Sequence, residues 1–458
     1  MSWIDGLLPW RKPSRARTAS EEKYLYHTAG VSLTDKSQED GEPFPRFHAT
    51  AGDQLDPKRA DRFALIRSRL RNAYTPAQPV TDRRMFAGRT KLMTTLIRSI
   101  EDQRLHTVIY GERGIGKTSL LQVLAKSAEE ARYLVVYITC GARSEFDETF
   151  RAIAARIPLM FHGGYGPTSR EGERGDTLLS LLGPEPIGVR GASDALARIE
   201  GTRVLVILDE FDRAESEDFR RGIAELLKTL SDQSVRVQML IAGVAANLTE
   251  LIANVPSIQR NVSALRVPKM TPAEVRSIVK NGESISDLHF EEPAIEAIIA
   301  RCMGFPYLAT LLSHRSALVA VDDGRLTVNS DDVGIATEEA VEEFRGRISR
   351  RSQLQIDGLV RRGQLPVLGA LAGAAQSTGG WFNVEDITAV HAEASSIHDA
   401  QATIESLAKN QVLIEVGDDG FGQGYRFMEP TVPVYLWLLA ARGQYFDHQH
   451  PALESVAG

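Results

Sequence analysis

Apolar positions recur along this chain in two rhythms, spaced triplets and short continuous runs. The first triplet, Phe63, Ile66 and Leu70, falls on one face of a helix over residues 59–74. Thr75, Pro76, Ala77, Gln78 and Pro79 then break the period and predict a linker. Leu92, Leu96 and Ile100 carry a second helix. The run Thr107, Val108, Ile109, Tyr110 predicts a buried strand, and 119–125 a helix behind it. The same pair of rhythms repeats as a strand over 133–139 and an amphipathic helix over 144–157. It returns as a strand over 203–208, a helix over 220–231 and a strand over 235–242. Strands alternating with helices predict a parallel sheet covered by helices on both faces. Residues 158–187 are rich in Gly and Pro and predict an inserted surface loop.

From Thr271 to about Arg347 the pattern is almost wholly helical. It opens on Thr271, Pro272, Ala273, Glu274, a capping box with Pro at the first helical position. After Gln364, helices over 365–375 and 404–409 precede two short strands, 412–416 and 425–428. The strands flank Gly417, Asp418, Asp419 and Gly420, so helices followed by a hairpin predict a winged-helix module. No fixed-period repeat is present.

A length of 458 residues allows two to four domains, and 43% hydrophobic with 25% charged residues is ordinary for a globular chain. The net charge of −7 excludes a wholly basic nucleic-acid coat and leaves a local basic face open. Two cysteines, Cys140 and Cys302, lie in apolar runs and make neither a metal cluster nor a disulfide framework. A cytoplasmic location is expected, and no apolar run approaches the ~20 residues of a membrane helix. Residues 1–10 are apolar, and Arg11, Lys12, Arg15 and Arg17 follow, the reverse of a signal peptide's order. With the polar stretch to Asp56, they are expected to form a partly disordered tail; an amphipathic anchor is the alternative.

The chemistry concentrates in Gly111, Glu112, Arg113, Gly114, Ile115, Gly116, Lys117 and Thr118, which satisfy G-x-x-x-x-G-K-[ST] between a strand and a helix that opens at Ser119. Glycines let such a loop turn its N–H groups inward at phosphate oxygens, and the helix N-terminus adds partial positive charge. Lys117 can reach the β- and γ-phosphates of ATP, and the Thr118 hydroxyl can ligate Mg²⁺. The strand 203–208 delivers Asp209 and Glu210 at its C-terminal end, where open α/β sheets bind ligands. Asp209 is placed to hold Mg²⁺ and Glu210 to polarise an attacking water. Asp212 is expected to cap a helix.

Phe86, Ala87, Gly88 and Arg89, the phosphate loop, the strand ending Tyr137, Ile138, Thr139 and Cys140, the run Leu208 to Asp212 and the helical segment after it resemble AAA+ ATPases. The initiator-type and STAND signalling branches are the most similar. The resemblance implies an α/β P-loop NTPase (AAA+) parallel sheet, a helical lid and a C-terminal winged-helix domain. The expected divisions are an N-terminal extension over 1–80, partly disordered with one helix, an AAA+ nucleotide-binding core over 81–267, a lid over 268–347 and a winged-helix-like domain over 348–458. The resemblance lays Gly88 and Arg89 against the nucleotide. It makes Asn247 the candidate for the polar residue usual at the tip of strand 235–242, which itself ends without one. Arg260 resembles an arginine finger reaching a neighbour's γ-phosphate, or is a surface arginine. In Gly304, Phe305, Pro306, Tyr307 a tyrosine stands where many members carry a phosphate-sensing arginine, and Pro306 matches a STAND-like turn that faces the nucleotide.

These departures imply slow hydrolysis and a nucleotide-gated switch that recruits or regulates a protein partner, as in STAND and bacterial defence-type ATPases. Homo-oligomers fit an arginine finger. A DNA-binding ATPase of initiator or transposition-regulator type is the alternative, with Arg345, Arg347, Arg350, Arg351, Arg361 and Arg362 as phosphate contacts. The helix around 400–410 is poor in basic residues for groove reading. A non-catalytic ATP-binding scaffold is the third reading.

Overall fold

The structure, a computed structural model, describes residues 62–76, 78–233, 235–245, 247–252, 261–378, 380–390, 397–416 and 424–449. The expected N-terminal tail, Arg260 and the turn at 417–420 lie outside them.

Helix α1 (Arg62–Ala73) leads through the linker to α2 (Thr90–Glu101). Strand β1 (His106–Gly111), α3 (Lys117–Glu130), β2 (Leu134–Thr139), α4 (Phe146–Ala154), α5 (Val189–Ala197), β3 (Val204–Asp209), α6 (Glu217–Asp232), β4 (Val237–Val244) and β5 (Val262–Arg266) follow. The five strands form one parallel sheet in the order β2-β3-β4-β1-β5. β3 is buried along its whole length, as a central strand covered on both faces must be. Its period of two splits the core. Leu205 and Ile207 pack with Leu120, Leu121 and Leu124 of α3, whereas Val204, Val206 and Leu208 pack with Phe150 of α4, Leu196 of α5 and Ile223 of α6. Asp209 continues the Leu205, Ile207 series and therefore projects on the α3 side.

Two elements depart from the sequence pattern. β5 is half-exposed at the sheet edge, and its run Val262, Ser263, Ala264, Leu265, Arg266 lacks the continuous apolar signal of the inner strands. The expected loop at 158–187 is instead pinned to the core. Leu159 and Leu178 are buried, Pro158 bridges Thr177, and Arg151 donates to the carbonyls of Gly183 and Glu185 at 2.9 and 2.7 Å. Gly and Pro marked its turns, while the tertiary anchors carry no local signature.

Helices α7 (Pro272–Ser286), α8 (Glu292–Cys302), α9 (Pro306–Asp322) and α10 (Ser330–Gly346) form the helical segment. The capping box at Thr271 has both of its hydrogen bonds, to and from Glu274. α1 packs on α7 and α9, and Tyr74, just after α1, locks it to α7. The phenol is buried, donates to the Val279 carbonyl at 2.8 Å and meets Phe290 edge-on. Gly282 makes room for it, since a Cβ there would lie 2.0 Å from the tyrosine ring. α1 is thus structurally part of the helical segment that its sequence position precedes.

α11 (Arg350–Arg361), α12 (Leu365–Ser377), α13 (Val384–Val390) and α14 (Ile397–Lys409) precede an antiparallel hairpin, β6 (Leu413–Val416) with β7 (Gly424–Phe427), and α15 (Val432–Gln449). α15 packs against α12 and α10. Trp437 Nε1 donates to the Arg301 carbonyl at 3.1 Å, and Arg442 pairs with Glu338 at 3.1 Å. Among the described residues, no helix is long and apolar enough to cross a membrane.

Candidate functional site

The turn between β1 and α3 is a glycine device. Gly116 is the N-cap of α3 with φ 90°, a left-handed conformation that a side chain would strain. A Cβ there would also meet Arg89 Nη1 at 3.0 Å and Pro306 Cγ at 3.5 Å. The bare backbone of 114–116 therefore runs beneath the start of α9. The first N–H groups of α3, at Lys117, Thr118 and Ser119, have no partners within the helix, and they form the positive end of its dipole. Ile115 is buried and anchors the turn.

Lys117 is 9% exposed, and its Nζ donates to the carbonyls of Gly111 and Glu112, each at 2.8 Å. Burial pulls the ammonium down to about 8, against the attraction of Asp212, Asp209 and Glu112. Glu112 is in turn raised by burial. Arg113, Gly114, Lys117 and Thr118 line a cavity of about 480 Å³ with Asp209, Glu210 and Asp212 from the end of β3, and Pro306, Tyr307 and Thr310 from α9.

The acidic wall is more elaborate than its motif. Asp209 Oδ1 accepts its neighbour Glu210's N–H at 2.8 Å, and Oδ2 accepts the Tyr137 hydroxyl at 2.6 Å. Tyr137 pairs with Ile207 on the adjacent strand, two residue pairs before Asp209 and so on the same face. Burial, then the bond to Asp209, pushes its phenol well above the usual range. Glu210 sits in the left-handed region at φ 53°, ψ 36°, a conformation that costs a non-glycine residue about 1–2 kcal/mol. That turn brings its Oε2 to Arg213 Nη1 at 2.7 Å. Asp212, expected as a helix cap, is not one. Ser216 caps α6, and Asp212 Oδ1 accepts the Val244 N–H at 2.8 Å, joining the end of β3 to the tip of β4. Asn247 caps the short helix Leu248–Leu251, accepting the Glu250 N–H at 2.9 Å. Local sequence carried no sign that Tyr137 would bind Asp209 or Arg213 bind Glu210; these contacts arrive through strand register and a one-turn helix.

A second, adjoining cavity of about 790 Å³ is lined by Thr75 to Asp82 of the linker (Pro76 and Ala77 aside), by Arg89, Gly116 and Ser119, and by Met270 and Ile278. Val80 N–H donates to the Ser119 hydroxyl at 3.1 Å, strapping the linker across α3. Gly88 and Arg89 precede α2. The Arg89 N–H donates to Glu274 Oε1 at 2.7 Å, and its Nη2 to the Pro268 carbonyl at 3.2 Å. Arg89 is 6% exposed, burial pulls it down to about 10, and its Nε has no hydrogen-bond partner. A buried cation with an unpaired donor beside the glycine turn, a buried ammonium, and a Thr–Asp donor set facing one cavity all fit a polyphosphate with a divalent cation. The structure thus brings the loop, Asp209, Glu210, Arg89 and Pro306 together and sets Asn247 apart as a cap.

Of the arginines between 345 and 362, Arg345 pairs with Asp357 at 2.8 Å, Arg347 with Glu343 one turn earlier, and Arg351 with Gln411.

A family model described as Novel STAND NTPase 1 matches residues 77–378, about two thirds of the chain. No curated protein matches it. Among solved structures, the chain is similar to the RuvB Holliday junction branch migration motor of Thermotoga maritima, at 16% identity and TM-score 0.41 over 76% of this chain and 95% of that one. It is also similar to Cdc6p from Pyrobaculum aerophilum, at 15% identity and TM-score 0.43 over 82% and 98%. A Walker-type ATPase of Pyrococcus abyssi matches at 20% identity and TM-score 0.46 over 79% and 98%.

Proposed function

The chain belongs to the novel STAND NTPase 1 family, and we propose that it is a slow, Mg²⁺-dependent ATPase that works as a nucleotide-gated switch for a protein partner. The observation that carries this reading is the shared cavity, lined by Lys117, Thr118, Asp209 and Glu210 from the core and by Pro306, Tyr307 and Thr310 from the lid helix α9. A ligand touching both walls has different contacts when the lid moves, which is the differential affinity a switch requires.

In this reading the N–H groups at 114–119 cradle the phosphates, and Lys117 exchanges its two loop carbonyls for β- and γ-phosphate oxygens. Thr118 and Asp209 hold Mg²⁺, with Tyr137 fixing the Asp209 rotamer. Mg²⁺, when bound, offsets the charge that develops on the phosphate oxygens. Gly88 and Arg89 face the nucleotide from the linker side. Glu210 orients the attacking water, and its ion pair with Arg213 holds that carboxylate back, which supports slow turnover. Arg260 serves a neighbouring subunit in an assembled state. The C-terminal helices and hairpin act as a winged-helix-like output module, with an output of the kind found in defence-type STAND ATPases.

Nucleotide binding and single-turnover phosphate release by the full chain test this. ATP should bind, and the wild type should release phosphate far below the ~10 s⁻¹ typical of enzymes. Glu210→Gln should bind ATP and release phosphate at least tenfold more slowly. Binding with equal, negligible release in both proteins would replace the ATPase by a scaffold.

A further inference from the structure

Tyr307 follows Pro306 in the first turn of α9, and side chains in a helix lean toward its N-terminus. The residue therefore sits over the glycine turn. Its Cβ is 3.8 Å from where a Cβ on Gly114 would stand, and it lines the cavity with Lys117 and Asp209. Its phenol oxygen accepts a hydrogen bond from Arg347 Nη1 at 3.2 Å. Arg347 ends α10, lies over the Phe344 ring at 5.0 Å and pairs with Glu343, while Phe344 meets the Tyr307 ring edge-on at 6.3 Å.

Taking the cavity as the nucleotide site proposed above, we propose that Tyr307 and Arg347 together recognise the terminal phosphate, with Tyr307 the donor and Arg347 the residue that positions it. A phenol has one proton to give and lone pairs to receive with. Arg347 fills the receiving side, so the O–H is left to donate, and a cationic donor on the oxygen polarises that O–H further. The lid thereby offers a directed hydrogen bond through a tyrosine, with the full positive charge held one residue behind it. The pair also stands where the lid meets the C-terminal module. Two residues beyond Arg347, the N–H and hydroxyl of Ser349 both donate to Glu429, each at 2.7 Å, just after β7. Engagement of the phosphate at Tyr307 is then felt at the start of α11 and at Glu429.

The test is the ratio of ATP to ADP affinity, measured by titration calorimetry with Mg²⁺ on the full chain. Tyr307→Phe should weaken ATP about tenfold and leave ADP unchanged, the loss of one hydrogen bond to a charged group. Arg347→Gln should weaken ATP about threefold in the wild type and not at all in the Tyr307→Phe background, because the two act as one unit. Arg347→Lys should recover part of the loss. Retained ADP binding certifies each variant as folded. An unchanged ATP to ADP ratio in Tyr307→Phe overturns the proposal and leaves the nucleotide site standing, as does an Arg347→Gln effect that persists without the tyrosine hydroxyl. Failure of the wild type to bind either nucleotide overturns both.

Discussion

The two walls of the cavity are built in opposite ways. The core wall is backbone and buried sheet: a left-handed glycine at 116, a lysine 9% exposed, and an aspartate ending a strand with no exposed residue. The lid wall is side chains at a helix end, Pro306, Tyr307 and Thr310 of α9, with the Tyr307 hydroxyl held by Arg347, whose own side chain is 47% exposed. A buried backbone cradle cannot change without unfolding its sheet, whereas a hydrogen bond between helix ends can open at small cost. One wall is suited to hold a ligand and the other to report it.

The sharpest way to break this comparison is Lys117→Ala. If the core wall supplies most of the affinity, the variant should lose ATP binding by about 100-fold, the magnitude of one or two charge-assisted hydrogen bonds. Calorimetry checks it, and a loss under threefold would place the affinity in the lid.

The next effect is one of pH on the same residue. Burial leaves Lys117 titrating near 8, so its cationic form wanes above that pH. ATP affinity should be flat from about pH 7 to 7.5 and fall by up to about tenfold per unit above 8. Stability should move the other way. Between about 8 and the ordinary lysine value of about 10.4, the unfolded chain binds more protons at this site than the folded one, so this residue's contribution rises with pH. Affinity that holds steady to pH 9.5 would contradict the buried-cation account.

The smallest effect sharpens the comparison within the acidic wall. The Glu210–Arg213 pair is largely exposed, and such pairs are worth about 0–1 kcal/mol. Arg213→Ala should raise phosphate release by up to about fivefold with ATP affinity unchanged. A fall in rate would make Arg213 an aid to turnover instead of a restraint.

Much of the core was legible because its signals are local. A continuous apolar run marks a doubly covered strand, and the glycine spacing of the loop is dictated by backbone conformation at those very residues. Hence β1, β3, β4 and Lys117, Thr118, Asp209 and Glu210 could be placed from sequence. β5 could not, since an edge strand needs only half the apolar pattern. The anchoring of 158–187 was also invisible, because its partners lie outside the segment: Arg151 on α4, and Ile199, which bridges His162.

By itself, the sequence determined the strand–loop–helix unit, the order of alternating elements and the pair of acids at the end of β3. Tertiary structure decided what those acids touch. It set Tyr137 on Asp209, Arg213 on Glu210, and Asp212 on the tip of β4 where a helix cap was expected. It also made α1 part of the lid and put Arg347 behind Tyr307, forty residues away in sequence. Local conformation is a property of neighbouring residues and can be read along the chain. A contact between elements depends on how strands register and helices pack, and no single segment carries that information.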